Sequence, residues 1–108
     1  MINKILKNAG VKYKHTRFPS PPTGTYAVYM DDMDSDGPDG INILITHFCT
    51  VEVYLSASDD TTERAIEKAI DKEGLKWKKQ DRYWLQDVQR YQVVYEFTYI
   101  EKRRINNE

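Results

Sequence analysis

The chain has 108 residues, 31% of them charged, with 16 Lys+Arg against 17 Asp+Glu and a formal net charge of -1. That length sets one domain able to bury a single core, and the balance argues against a nucleic-acid binder working through a strong basic field. A single cysteine, Cys49, excludes an internal disulfide and any multi-cysteine zinc site within one chain, and points to a reducing compartment. The N-terminus, MINKILKNAGVK, carries no apolar run long enough for a secretory signal, and no segment approaches the length of a membrane span.

In chain order, Ile2, Ile5, Leu6 and Ala9 follow helical spacing and Gly10 occupies the place of a left-handed C-terminal cap. So short a helix must dock on a core to persist. Val11–Pro22 holds three prolines and reads as an extended connector, with a few strand residues around Lys12–His15. After a turn at Thr23–Gly24, Thr25–Met30 reads as a strand with Tyr26, Val28 and Met30 on one face.

Asp31–Gly40, DDMDSDGPDG, concentrates five aspartates, two glycines and a proline, and reads as a solvated loop between strands. Asp32, Asp34, Asp36 and Gly37 match the opening of a calcium loop, D-x-D-x-D-G. The match then fails: the twelfth loop position is Ile43 where a bidentate Glu is wanted, and the flanks read as strands. These three aspartates are a weak metal candidate beside the simpler reading of an acidic hairpin loop.

Ile41–Leu55 alternates throughout. Ile41, Ile43, Ile45, His47, Cys49, Val51, Val53 and Leu55 share one parity. As one straight strand it would span roughly 50 Å, against some 30–35 Å for a compact globule of this size. It must therefore bend, break near His47, or project in a long hairpin with Thr25–Met30. A projecting hairpin is unstable alone and calls for a neighbouring subunit. His47 and Cys49, two apart on the apolar face, invite a catalytic or metal reading. A buried thiol beside a packed histidine is the commoner arrangement.

Asp60 as N-cap with Glu63 three residues on forms a capping box for a helix over about Thr61–Glu73. Its apolar stripe is Ala65, Ile66, Ala69 and Ile70, and Gly74 ends it. Its polar face, Arg64, Glu67, Lys68 and Asp71, reads as solvated surface. Leu75–Lys79 and Tyr83–Leu85 flank Gln80-Asp81-Arg82 as a short hairpin anchored by Trp77 and Trp84. These tryptophans pack on the helix or across the hairpin, or, beside Lys76, Lys78 and Lys79, stack on bases of a single strand.

Gln89–Lys102 is the strand around which the chain is organised, with Tyr91, Val93, Tyr95, Phe97 and Tyr99 on one face. Residues 103–108 read as a frayed polar tail. The economical solution is an α+β fold in two layers: a mostly antiparallel sheet, two helices on one face and a long projecting hairpin. Residues 1–24 supply the N-terminal helix and connector of this single domain. No phosphate loop, G-x-S-x-G, H-E-x-x-H or zinc spacing is present, and no cofactor is implied. Glu52 and Glu96 are strand carboxylates able to approach one another, a weak basis for acid–base chemistry.

The running order TYAVYMDD, ITHFCTVEVYLS, a capped helix, GLKWKK–DRYWLQD and QRYQVVYEFTYIEK resembles small tail-completion proteins of prophages and long-tailed phages. The resemblance runs from about Pro21 to Lys102 and is carried by Tyr26–Met30, His47, Val51–Tyr54 and Tyr91–Phe97. It implies a non-enzymatic virion subunit of the tail or neck, assembled in the bacterial cytoplasm, a tail terminator or head–tail joining protein. Such subunits form a ring, often a hexamer, that caps the tail tube and meets the head connector, while DNA passes through without being read. The candidate interface or lumen residues are Asp31, Asp32, Asp34, Asp36, Asp39, Ile41, Ile43, Trp77 and Trp84. The other reading is a small monomeric module binding calcium at the aspartates or single-stranded nucleic acid at the Lys/Trp segment.

Overall fold

The computed structural model describes residues 1–38 and 42–104 of the chain. The element order is α1 (Ile2–Ala9), β1 (Lys12–His15), β2 (Tyr26–Pro38), β3 (Asn42–Leu55), α2 (Thr62–Lys72), β4 (Trp77–Lys79), β5 (Tyr83–Leu85) and β6 (Arg90–Arg104). The strands form one sheet in the order β1-β2-β3-β6-β4, with β5 also on β6. All pairs are antiparallel except β1 with β2. This is the two-layer α+β fold expected from the alternation.

The parities sort as read. Val51, Val53 and Leu55 of β3, Val93, Tyr95 and Phe97 of β6 and Ala27 of β2 meet Ile2, Ile5 and Leu6 of α1 and Ile66, Ala69 and Ile70 of α2 in one core. Each large aliphatic side chain so buried contributes about 1.5–3 kcal/mol. The shortness of α1 is offset by this burial, and Gly10, at φ 75°, closes it with its N–H donating to the Lys7 carbonyl. The opposite face is covered only at one end. There the connector brings Phe18 edge-on to Tyr26, which stacks on Tyr54, so Tyr26 and Val28 are also buried.

Several local expectations are corrected. The acidic stretch is not a loop through Gly40, because β2 continues to Pro38, paired residue by residue with β3 from Tyr26↔Tyr54 to Ser35↔Ile45. Aspartate is a poor strand former, but a strongly alternating partner strand templates it, and the register slips only between Ser35 and Pro38. Gly37, at φ 80°, takes the left-handed conformation that slip requires. β3 runs unbroken past His47. Nor is the extension a two-stranded hairpin, since β6 pairs with β3 along its whole length, from Leu55↔Tyr91 to Asn42↔Arg104. The connection between β2 and β3, including Asp39 and Ile41, lies outside the described residues. Arg103 and Arg104, expected in a frayed tail, belong to β6.

β4 and β5 do not form a hairpin with each other. Both lie antiparallel on the same edge of β6, Lys79 opposite Tyr95 and Tyr83 opposite Gln92. Four steps on one strand match three on the other, so Gln80-Asp81-Arg82 is a one-residue bulge in an interrupted edge strand. Glu63 holds that bulge to α2, accepting from Lys79 and Arg82. Glu67, expected in solvent, accepts from Lys79 and from the Tyr95 hydroxyl.

The N-cap position of α2 is Thr61 rather than Asp60; Thr61 makes no side-chain cap bond, and the helix start is capped by the side chain of Asp59. Its Oδ1 accepts from the backbone N–H groups of Thr61 and Thr62, and its Oδ2 from the hydroxyls of Thr62 and Thr25. Burial would raise this carboxyl, but those hydrogen bonds win and hold it down at about 2. Asp59→Ala should therefore cost about 1–2 kcal/mol, read as a lower urea midpoint at pH 7. Because the folded pKa is depressed, the difference from wild type should be present above the unfolded value near ~3.9 and vanish as pH falls toward about 2.

The long dimension is 51 Å and the radius of gyration 15.9 Å, against about 13 Å for a compact chain of this length. The excess is the end of the sheet that outruns the helices: β2 beyond Met30, the first half of β3 and β6 beyond Phe97.

Candidate functional site

The sheet extension is the part of the molecule that its own core does not explain. Its face on the helix side is built from Asp31, Met33 and Ser35 of β2, Ile45, His47 and Cys49 of β3, and Tyr99, Glu101 and Arg103 of β6, placed side by side by the strand register. His47 sits at the centre, 5% exposed. Its Nδ1 lies 2.9 Å from Asp31 and its Nε2 2.7 Å from Glu101. Ionised carboxylates only accept, so this geometry suits the protonated ring, with both N–H groups donating. The Tyr99 ring stacks on it at 4.3 Å between centroids and 4° between planes. Burial alone would lower the His47 pKa. The hydrogen bonds to Glu101 and Asp31, and their charges, outweigh it and hold the imidazole above its ordinary value. Arg103 first, and His47 second, hold the Glu101 carboxyl below its own.

This cluster ties three strands together and offers little reactivity. Burial first, and the Asp31 charge second, push the Cys49 thiol up to about 12, far from the thiolate a nucleophile needs. Both nitrogens of His47 are occupied. Among the described residues no group of three or more His, Cys, Asp or Glu side chains is arranged to hold a metal ion. Glu52 and Glu96 are diagonal neighbours across β3 and β6, but Glu96 is exposed opposite Lys78 and Glu52 accepts from the Tyr54 hydroxyl.

The other face of the extension is open. Asp32 and Asp34 lie there on β2, level with Phe48 and Thr46 of β3 and, one strand further, with Thr98 and Ile100 of β6. Asp36 follows at the register slip, and Lys102 and Arg104 continue the same face of β6. Phe48 is 46% and Ile100 66% exposed. An acidic row thus runs along one margin of this face and a basic pair along the other, with apolar side chains between. Asp32, Asp34 and Asp36 stand on an extended strand rather than curling into a loop.

Of the remaining candidates, Ile43 is half-buried opposite Arg103. Trp77 and Trp84 are not part of the extension. Trp77 lies edge-on to Tyr95 and its indole N–H donates to Asp71. Trp84 lies edge-on to Tyr91 and donates to Gln86. Both pack as strand and helix anchors. Sequence reasoning missed Glu101, Lys102, Arg104, Phe48 and Ile100 as site residues. A usable signal existed for Glu101: it is a charge at the next position of the aromatic stripe Tyr91–Tyr99, on the parity that faces His47.

These features define a class: a two-layer α+β fold whose three-stranded extension is clasped on one face and charged along both margins. No family model and no curated protein sequence matches the chain. Its fold is similar to that of a chain in a solved structure described as the virion of a native gene transfer agent particle. The TM-score is 0.55 at 15% identity, over 93% of this chain and 83% of that one. Among the described residues no helix is long and apolar enough to cross a membrane.

Proposed function

We propose that this chain is a structural component of a phage-like virion: a tail-terminator or neck subunit. In this reading it forms a ring at the head-proximal end of a long tail and joins the tail to the head. The observation that carries the reading is the fold shared, over nearly the whole chain, with a chain of a gene transfer agent virion. The shape supports it. A monomer gains little from a sheet that outruns its helices, whereas a subunit uses such an extension to meet its neighbours. The chemistry supports it as well, since the polar cluster around buried His47 is engaged in holding strands together. The partners are other copies of the chain, the tail-tube protein and the head connector, and a net charge of -1 suits DNA that passes without base-specific contact.

Deleting the gene from a phage or prophage that encodes it tests the proposal. Electron microscopy should show filled heads separate from tails, and tails of uneven length. The purified wild-type particle should carry the chain at the head–tail junction. Normal particles after deletion would overturn the reading. A native mass or thermal midpoint that changes with calcium alone would favour the small binding module, with Asp32, Asp34 and Asp36 as its ligands.

A further inference from the structure

We propose that the acidic outer edge of β2 in one copy pairs with the basic outer edge of β6 in the next, continuing the sheet head-to-tail between copies of this chain. The inference deepens the ring reading above and takes the closure of the ring from it.

Among the described residues, β2 beyond Met30 and β6 beyond Phe97 have a single strand neighbour, β3, because β1 ends opposite Tyr29 and β4 begins opposite Phe97. The extension therefore has two open edges. An open edge presents a row of unpaired backbone N–H and C=O groups and invites another strand. Charges usually guard such edges, and on the open face each edge carries one sign. Asp32 and Asp34 stand on β2, Lys102 and Arg104 on β6, all on the same face, and Asp36 follows on β2 at the register slip.

This pattern discriminates between modes of association. Pairing β2 with β2, or β6 with β6, across a two-fold axis sets like charges side by side, which is costly. Pairing β2 with β6 sets the acidic row against the basic pair. Only the unlike contact is favoured, and it is heterologous, the kind that closes into a ring when the rotation between subunits permits. The directions agree. β2 and β6 each run antiparallel to β3, so they are parallel within one subunit, and two copies in the same orientation join them as parallel strands. Met33, 56% exposed at the β2 margin on the other face, gains cover from the incoming strand.

Sedimentation velocity at low ionic strength, over a range of protein concentrations, tests this. Wild type should self-associate, less so as salt is added. Reversing one edge (Asp32→Lys, Asp34→Lys, Asp36→Lys together, or Lys102→Glu with Arg104→Glu) gives a chain with two edges of one sign. Each should need at least about tenfold more protein to associate, equivalent to one decade in Kd. Asn in place of the three aspartates, a milder change, should weaken association by a smaller factor. An equimolar mixture of the two reversed chains should recover it, because each then presents what the other lacks.

Wild type that stays monomeric throughout overturns the inference. So does association that survives either reversal unchanged, which would move the interface elsewhere and leave the ring reading standing. Recovery in the mixture, together with normal particles after gene deletion, would keep the edge pairing and remove the virion role.

Discussion

Truncating Tyr95 to alanine should cost about 3–5 kcal/mol, the usual range for a large aromatic removed from a core. For a domain of this size that is a large share of a total stability on the order of 10 kcal/mol. Tyr95 is fully buried at the middle of β6, opposite Val51. The edge of Trp77 packs against its ring, 5.9 Å between centroids, and its hydroxyl donates to Glu67 at 2.6 Å. One residue thus joins the central strand, the edge strand and α2, and the cavity left behind would open under all three.

Tyr95→Phe separates the two contributions. It keeps the ring and removes only the bond to Glu67, so it should cost about 1.5 kcal/mol, the low end for a hydrogen bond to a charged group. Urea denaturation of both variants beside wild type reads the difference. Equal losses would show that the hydroxyl, not the ring, holds the layers together. Burial, and then the Glu67 contact, keep the Tyr95 phenol well above its ordinary range. That contribution is present below the unfolded value near ~10 and is lost above it, so the fold should weaken steeply in strong alkali.

The second large effect belongs to His47. His47→Ala should cost about 2–3 kcal/mol near pH 6, because it opens a cavity against Tyr99 and leaves Asp31 and Glu101 without their shared donor. The sign of its pH dependence follows from its raised folded pKa. The stabilisation is complete below the unfolded value near ~6.5 and disappears as pH rises through the folded value. Wild type should therefore lose stability as pH rises past the unfolded value near ~6.5 and through the folded one, and His47→Ala should lack that slope.

On the acid side Glu101, whose pKa is depressed, works in the opposite sense. Its contribution is present above its unfolded value near ~4.3 and fades below it. Thermal midpoints of both proteins from about pH 3 to about pH 8, a window that takes in both the carboxylate and the imidazole, read the difference. Parallel curves would show that the imidazolium does not carry the clasp. Amide hydrogen exchange should place the loss in the extension rather than under the helices, because the bonds His47 makes join β2, β3 and β6 beyond the core.

How much was legible varied with how local the cause was. The alternation of Ile45 to Leu55 and of Tyr91 to Tyr99 read directly as β3 and β6, and their parities placed Val51, Val53, Val93 and Tyr95 in the core. A two-period pattern leaves only one way to bury its apolar set. The stripe Ile66, Ala69, Ile70 located α2 for the same reason at helical period. Asp59 against Asp60 turned on one residue: both stand before the helix, and Asp59 is the one that accepts from Thr61 and Thr62 and also from Thr25, a distant residue just before β2.

The site was less legible than the fold. Asp31–Pro38 has the composition of a loop, and became a strand because β3 offers a matching ladder that outweighs a propensity of a few tenths of a kcal/mol per residue. β4 and β5 looked like partners because they are neighbours in sequence, yet both found the longer edge of β6. The partners of His47 are 16 and 54 residues away, so no local spacing announces them.

The sequence by itself therefore determined the layer architecture, the two long strands, the second helix and the surplus of strand over core, since all of these follow from periodicity and length. Tertiary structure alone decided that β6 runs beside the extension, that His47 is held between two carboxylates, and that the acidic row and the basic pair lie on one face at opposite margins. Those are matters of which strand lies beside which, and pairing between distant segments is set by burial and backbone hydrogen bonding across the whole sheet.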